Sequence, residues 1–112
     1  MKISLNVSER VFALRLLNDF KGSLEKLAPI LEDIQKFSIT DEDWQSVERK
    51  IVKLADDSEQ WNWNDEKAEP KEMEIGNGTV DYLKDTIEKK SKDGEFTLKD
   101  KAALSLKEKL EK

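Results

Sequence analysis

Ile3, Leu5 and Val7 alternate with Ser4 and Asn6, a period of two that predicts a short half-buried strand at the N-terminus. Ser8 then has the character of a helix N-cap, with Glu9 in the first turn, where the helix dipole favours an acid. The helix expected from about Glu9 to Asp19 is apolar at Val11, Phe12, Ala13, Leu14, Leu16, Leu17 and Phe20. That is too much of its circumference for a surface helix, so it is expected to be the central core element. Lys21-Gly22 breaks it, and Ser23 can cap a second helix whose stripe Leu24, Leu27, Leu31 and Ile34 follows the spacing of one face. Pro29 lies inside that stripe and predicts a kink or a fresh start, because it lacks a backbone donor and crowds the preceding turn.

Thr40 to Asp43 has the form of a capping box and predicts a third helix. Trp44, Val47, Ile51 and Leu54 hold helical spacing, but Ile51 to Leu54 also suits a strand, with Asp56-Asp57-Ser58 as a turn before Gln60 to Trp63. A short helix followed by a hairpin is the favoured reading, and Trp61 and Trp63, two apart, would share one strand face. Asn64 to Lys71, which contains Pro70, predicts a loop; Glu72 to Ile75 resumes alternation. Gly76-Asn77-Gly78 is a strong breaker, after which Val80, Leu83 and Ile87 mark a helix to about Lys90, closed by Asp93-Gly94. Thr97 to Asp100 repeats the capping-box form, and Leu98, Ala102, Leu106 and Leu110 line one face of a last helix. The expected fold is α+β: about five short helices packed on a small, mostly antiparallel sheet built from the N-terminal strand, the Trp61–Trp63 strand and neighbours. Residues 1–112 are expected to form a single domain.

Composition changes this picture by exclusion. Charged residues make up 40% and hydrophobic ones 37%, which places the chain at the polar edge of the globular class. Polar residues interrupt the first six positions too soon for a signal peptide, and the longest apolar run, Val11 to Leu14, is far short of a bilayer span of ~20 residues. Neither export nor membrane insertion is expected, and the cytoplasm is the expected compartment. Cysteine is absent, which removes disulfides, thiolate nucleophiles and cysteine metal sites. Histidine is absent too, which removes the commonest acid–base group near neutral pH, the usual hydrolase triads and histidine metal sites. Carboxylate chemistry alone survives, and it needs acids gathered in a cleft. A calcium loop started at Asp56 would place Ser58, Gln60 and Lys67 at its third, fifth and twelfth positions with no glycine at the sixth, so the pattern fails. The glycines fall at turns and helix ends rather than in a phosphate cradle. No catalytic residue, cofactor or metal is expected, and the chain is not expected to be an enzyme.

The charge is unevenly spread. Asp41 to Pro70 holds ten acids against four bases, −6, while residues 1–40 sum to +1 and 71–112 to 0. The same stretch holds all three tryptophans. A net charge of −5 disfavours direct nucleic-acid binding, and the lysines of the last two helices are interleaved with acids, as on a solvated face. Trp44 is expected in the core. Trp61 and Trp63 have two readings: covering the inner face of the sheet, or presenting an aromatic anchor to a protein partner. If there is a recognition face, the residues that carry it are Trp61 and Trp63 with the acids Asp56, Asp57, Glu59 and Asp65.

The segment Ile3 to Arg10, the block Trp61 to Ile75 and the ending from Gly94 to Leu110 together resemble small uncharacterised proteins encoded by bacteriophages and prophages. The resemblance spans nearly the whole chain and carries no active-site residues. It implies a cytoplasmic phage product, an accessory factor acting through a host or phage protein. The functional expectation is therefore a non-enzymatic protein–protein interaction factor. The alternatives are an acidic mimic of DNA that inhibits a nucleic-acid-binding protein, and a small self-assembling structural protein.

Overall fold

The computed structural model describes residues 1–97 and 100–111. Its elements run β1 (Lys2–Leu5), α1 (Val7–Asn18), α2 (Leu24–Phe37), α3 (Asp41–Ser46), β2 (Lys50–Lys53), β3 (Glu59–Asn62), a 3-10 turn (Asp65–Lys67), β4 (Lys71–Glu74), α4 (Asn77–Lys92) and α5 (Lys101–Leu110). The class is α+β. The strands form two separate antiparallel pairs, β1 with β4 and β2 with β3, rather than one sheet. Contrary to the expectation from the sequence, the tryptophan strand thus does not join the N-terminal strand. The first strand takes the returning segment Lys71–Glu74 instead, with Ile3 opposite Met73 and Leu5 opposite Lys71.

Alternation ends sooner than Ile3, Leu5 and Val7 suggest. Val7 is the first residue of α1, and the N-cap is Asn6, not Ser8. The Asn6 side chain accepts the Glu9 N–H at 2.8 Å, while the Glu9 carboxylate accepts the Asn6 N–H at 2.9 Å, a complete capping box. Helix α1 is the central element as expected: Ala13, Leu16 and Leu17 are buried, and it packs on α2, α4, α5 and β1. Ser23 caps α2, and the helix runs unbroken through Pro29. Pro29 and Glu25 are both exposed, so the turn in which proline leaves the Glu25 carbonyl without a helical donor lies at the surface. The buried stripe of α2 is Ile30, Asp33 and Phe37, flanked by half-buried Leu27 and Ile34. Leu24 and Leu31, expected on that face, are 80% and 51% exposed.

The core joins β1, α1, α2, β4, α4 and α5 through Leu5, Leu17, Phe37, Ile75, Leu83 and Leu106, all fully or nearly fully buried. Charged residues lock its edges. Asp33, on α2, accepts the Gly76 N–H at 2.9 Å and the Thr79 hydroxyl at 2.5 Å, and so bonds α2 to the start of α4. Burial pushes the Asp33 carboxyl up, but the hydrogen bonds from Thr79, Gly76 and Lys36 outweigh it and hold the group below the usual carboxylate range. Arg10, buried in α1, donates to the carbonyls of Phe37 and Ser38 and pairs with Asp43 at 3.1 Å. Glu9 and Lys109 pair at 2.7 Å and tie α5 to α1, with Lys109 also donating to the Ser4 carbonyl.

Gly76 is the N-cap of α4, so the Gly76-Asn77-Gly78 breaker begins the helix rather than preceding it. Gly94, at φ 67°, closes it in the left-handed conformation that glycine adopts without strain. The last helix starts later than expected, with Asp100 as its N-cap. The Asp100 carboxylate accepts the Thr97 N–H at 2.8 Å; Leu98 and Lys99 lie outside the described residues. Ala103, Leu106 and Leu110 form its buried face. No described helix is long and apolar enough to cross a membrane.

Candidate functional site

The capping box expected at Thr40 forms: the Thr40 hydroxyl accepts the Asp43 N–H at 3.1 Å, and Asp43 accepts the Thr40 N–H at 3.0 Å. That backbone bond, with burial opposing it and Arg10 adding to it, holds the Asp43 carboxyl below its ordinary value. Helix α3 ends in a Schellman motif, in which Glu48 N–H bonds the Gln45 carbonyl at 3.0 Å and Arg49 N–H the Trp44 carbonyl at 3.1 Å. This motif needs a left-handed residue, usually glycine, and Glu48 fills the place at φ 54°. The turn brings Arg49 back over the Trp44 ring, at 5.3 Å from its centroid.

From Lys50 the chain enters the hairpin. Asp57 N–H bonds the Leu54 carbonyl at 3.1 Å, and Leu54 N–H bonds the Ser58 carbonyl at 2.8 Å, with Asp57 itself left-handed at φ 66°. The expected turn at 56–58 is therefore real. Lys53 faces Glu59, Val52 faces Gln60, and Ile51 faces Trp61. Opposed residues share a face, so Ile51 and Trp61 lie on one side of the hairpin, with Val52 and Gln60 on the other.

The three tryptophans meet. Trp44 stands edge-on to Trp61 and Trp63, with ring centroids at 5.5 and 5.1 Å, and the Arg49 guanidinium sits 4.7 Å from the Trp61 centroid. Trp61 and Trp63 do share one side, as their spacing predicts. The cluster lies outside the main core: Trp44 and Trp63 are half-buried, and Trp61 is 44% exposed. Trp44, expected in the core, is instead the seat on which the hairpin rests.

The four acids divide. Asp65 is turned inward: it accepts the Ser8 N–H at 3.0 Å, the Ser8 hydroxyl at 2.5 Å and the Trp63 indole N–H at 3.1 Å. It acts as an anion at the start of α1 and fastens Trp63 there. Asp56 shapes the turn by accepting the Ser58 hydroxyl at 2.6 Å and N–H at 3.1 Å, hydrogen bonds that hold its carboxyl below the usual range. Asp57 lies 3.8 Å from Lys53, both exposed, and Glu59 accepts the Trp61 indole N–H at 3.3 Å. Asp56, Asp57 and Glu59 thus remain exposed, as Trp61 in part does. Sequence reasoning missed Arg49 and Ile51; the alternation Arg49, Ile51, Lys53 opposite Trp61 was a signal that could have found them.

Among the described residues no group of three or more acids is placed to hold a metal ion. An apolar hollow of about 320 Å³ lies beside Ile87, Phe96, Ala103 and Leu104. Compared with known proteins, the chain matches no family model, no curated protein and no solved structure.

Proposed function

We propose that the β2–β3 hairpin is a recognition arm and that the protein is a non-enzymatic interaction factor, binding a protein partner through Trp61 and its surroundings. One observation carries the reading. All eight residues of β2 and β3 are exposed, yet the arm holds Ile51, Val52 and Trp61, followed by Leu54, each 43–48% exposed. Exposed clusters of large apolar side chains mark protein interfaces, and tryptophan and arginine are enriched among the residues that carry binding energy there. The stack of Trp44, Arg49 and Trp61 holds the indole in place before any partner arrives, which lowers the entropy lost on binding. The resemblance to phage-encoded proteins supplies the expected setting, a cytoplasmic accessory factor with a host or phage protein as partner.

The experiment compares wild type with Trp61→Ala in cross-linking and capture from bacterial lysate, alongside thermal unfolding. The expected result is a defined protein captured by wild type and lost from the variant, with the melting temperature of the variant within a few degrees. If no protein depends on Trp61, or if the variant loses its fold along with binding, the reading fails.

A further inference from the structure

The proposed function leaves open how a partner engages the arm, and the following rests on that reading. The bond from Leu54 N–H to the Ser58 carbonyl sets the phase of the β2–β3 ladder. In an antiparallel pair, residues alternate between exchanging backbone bonds and pointing those groups outward. Val52 and Gln60 therefore bond each other, while Glu59 and Trp61 direct N–H and carbonyl groups to the outer edge of β3. Ile51 and Lys53 do the same on the outer edge of β2. Among the described residues no third strand flanks either edge.

The two edges differ in charge. Lys50 and Lys53 lie on β2 and Arg49 precedes it, whereas Glu59 lies on β3 and Asp56 and Asp57 precede it in the turn. Lysine on an edge strand is a common guard against unwanted pairing, and β3 has none. Its edge is open, acidic and adjacent to the exposed Trp61 ring. We infer that the outer edge of β3 is a strand-addition site, taking an extended basic segment of a partner protein. The segment's backbone pairs with Glu59 and Trp61, its lysines or arginines face Asp57 and Glu59, and an apolar residue lies on Trp61.

The test uses three eight-residue probes on the intact protein: a threonine-based peptide with two lysines and a valine at successive alternate positions, so that all three share one face, the same peptide with glutamate for lysine, and the lysine peptide N-methylated at every internal residue. Amide exchange by NMR reports the site. The lysine peptide is expected to slow exchange at the Glu59 and Trp61 amides and leave Ile51 and Lys53 unchanged, while the other two peptides do not bind. Glu59→Pro removes the outward N–H of β3 without touching a hairpin bond, and Lys53→Pro does the same on β2. Affinity for the lysine peptide should fall at least tenfold in the first variant, which loses one hydrogen bond of ~1.4 kcal/mol together with the Glu59 carboxylate, and stay unchanged in the second. Circular dichroism and tryptophan fluorescence check that both variants keep the arm, and Glu59→Lys, which keeps the N–H and reverses the charge, should also weaken the lysine peptide, a test of the charge contact alone.

Equal binding of the glutamate or N-methylated peptide overturns the inference, as does protection at Ile51 and Lys53 instead. So does the absence of protection with any peptide. Should the Glu59 and Trp61 amides become protected in the protein alone as its concentration and mass rise, a second copy's Lys50–Lys53 strand is the occupant, and the partner-segment inference falls. Capture that still depends on Trp61 when the peptide test fails leaves the recognition arm standing and removes only strand addition.

Discussion

Strands β1 and β4 bury Ile3, Leu5 and Met73 against the helices, whereas β2 and β3, of the same length and antiparallel sense, bury none of their residues. The difference begins in the patterning. In β1, apolar Ile3 and Leu5 alternate with polar Lys2 and Ser4, so one covering layer hides every large side chain. In β2, Ile51 and Val52 are adjacent and so project to opposite faces, which a single layer cannot cover. One face meets Trp44 and Arg49; the other meets solvent. A two-stranded pair without a buried face is marginal by itself, so the arm depends on its aromatic seat.

The sharpest test of this contrast is a truncation on each side. Phe37→Ala, at a fully buried core position, is expected to lose about 3–5 kcal/mol, read as a lower urea midpoint. Ile51→Ala, on the arm, should lose no more than ~1 kcal/mol. Comparable losses would break the division between body and arm.

Next in size is Asp33→Ala, which leaves the Gly76 N–H and buried Thr79 hydroxyl without their acceptor and should cost about 2–4 kcal/mol. Asp56→Ala, on the arm, should leave the melting temperature unchanged. The same contrast has a pH signature. The carboxyls of Asp33 and Asp43 are depressed in the folded state, so their stabilisation is complete above the unfolded value of about 3.9 and is lost as pH falls through the folded values. Urea midpoints measured from pH 7 down to pH 2 should fall at the acid end, less steeply in Asp33→Asn. A stability curve that is flat with acid would contradict both locks.

A smaller and local effect is expected for Trp44→Ala. Loss of two edge-on ring contacts and the Arg49 stack should weaken the arm by about 1–2 kcal/mol. Amide exchange at Val52 and Gln60 should quicken roughly tenfold or more while Leu83 in α4 stays protected. Uniform quickening would show that the arm unfolds with the body. The smallest change has the opposite sign. Glu48→Gly relieves the left-handed backbone at the end of α3 and should stabilise by about 0.5–1 kcal/mol in thermal unfolding.

The helix caps at Ser23 and Thr40 and the turn at 56–58 were legible because each rests on bonds between residues two to four apart. The Asn6 cap was equally local, as Asn6 and Glu9 spell a capping box, but the alternation of Ile3, Leu5 and Val7 masked it. Choosing between the two overlapping apolar stripes of α2 was not a local question. Which of them is buried follows from Asp33 meeting Gly76 and Thr79, 43 and 46 residues away. The candidate site divides in the same way. Trp61 and the turn acids were found from their coincidence in one stretch, whereas the inward role of Asp65 depends on Ser8, 57 residues distant.

By itself, then, the sequence determined the α+β class, the central place of α1 and the absence of histidine and cysteine chemistry, and it favoured a hairpin over a longer helix after Trp44. These depend on composition, periodicity and short-range hydrogen bonds, which leave their marks in neighbouring letters. Only the tertiary structure decided that β1 pairs with β4, that the hairpin stands apart, and that Trp44, Arg49, Trp61 and Trp63 assemble at its base. Strand partners and aromatic contacts are chosen by burial summed over the whole chain, and no local pattern records that sum.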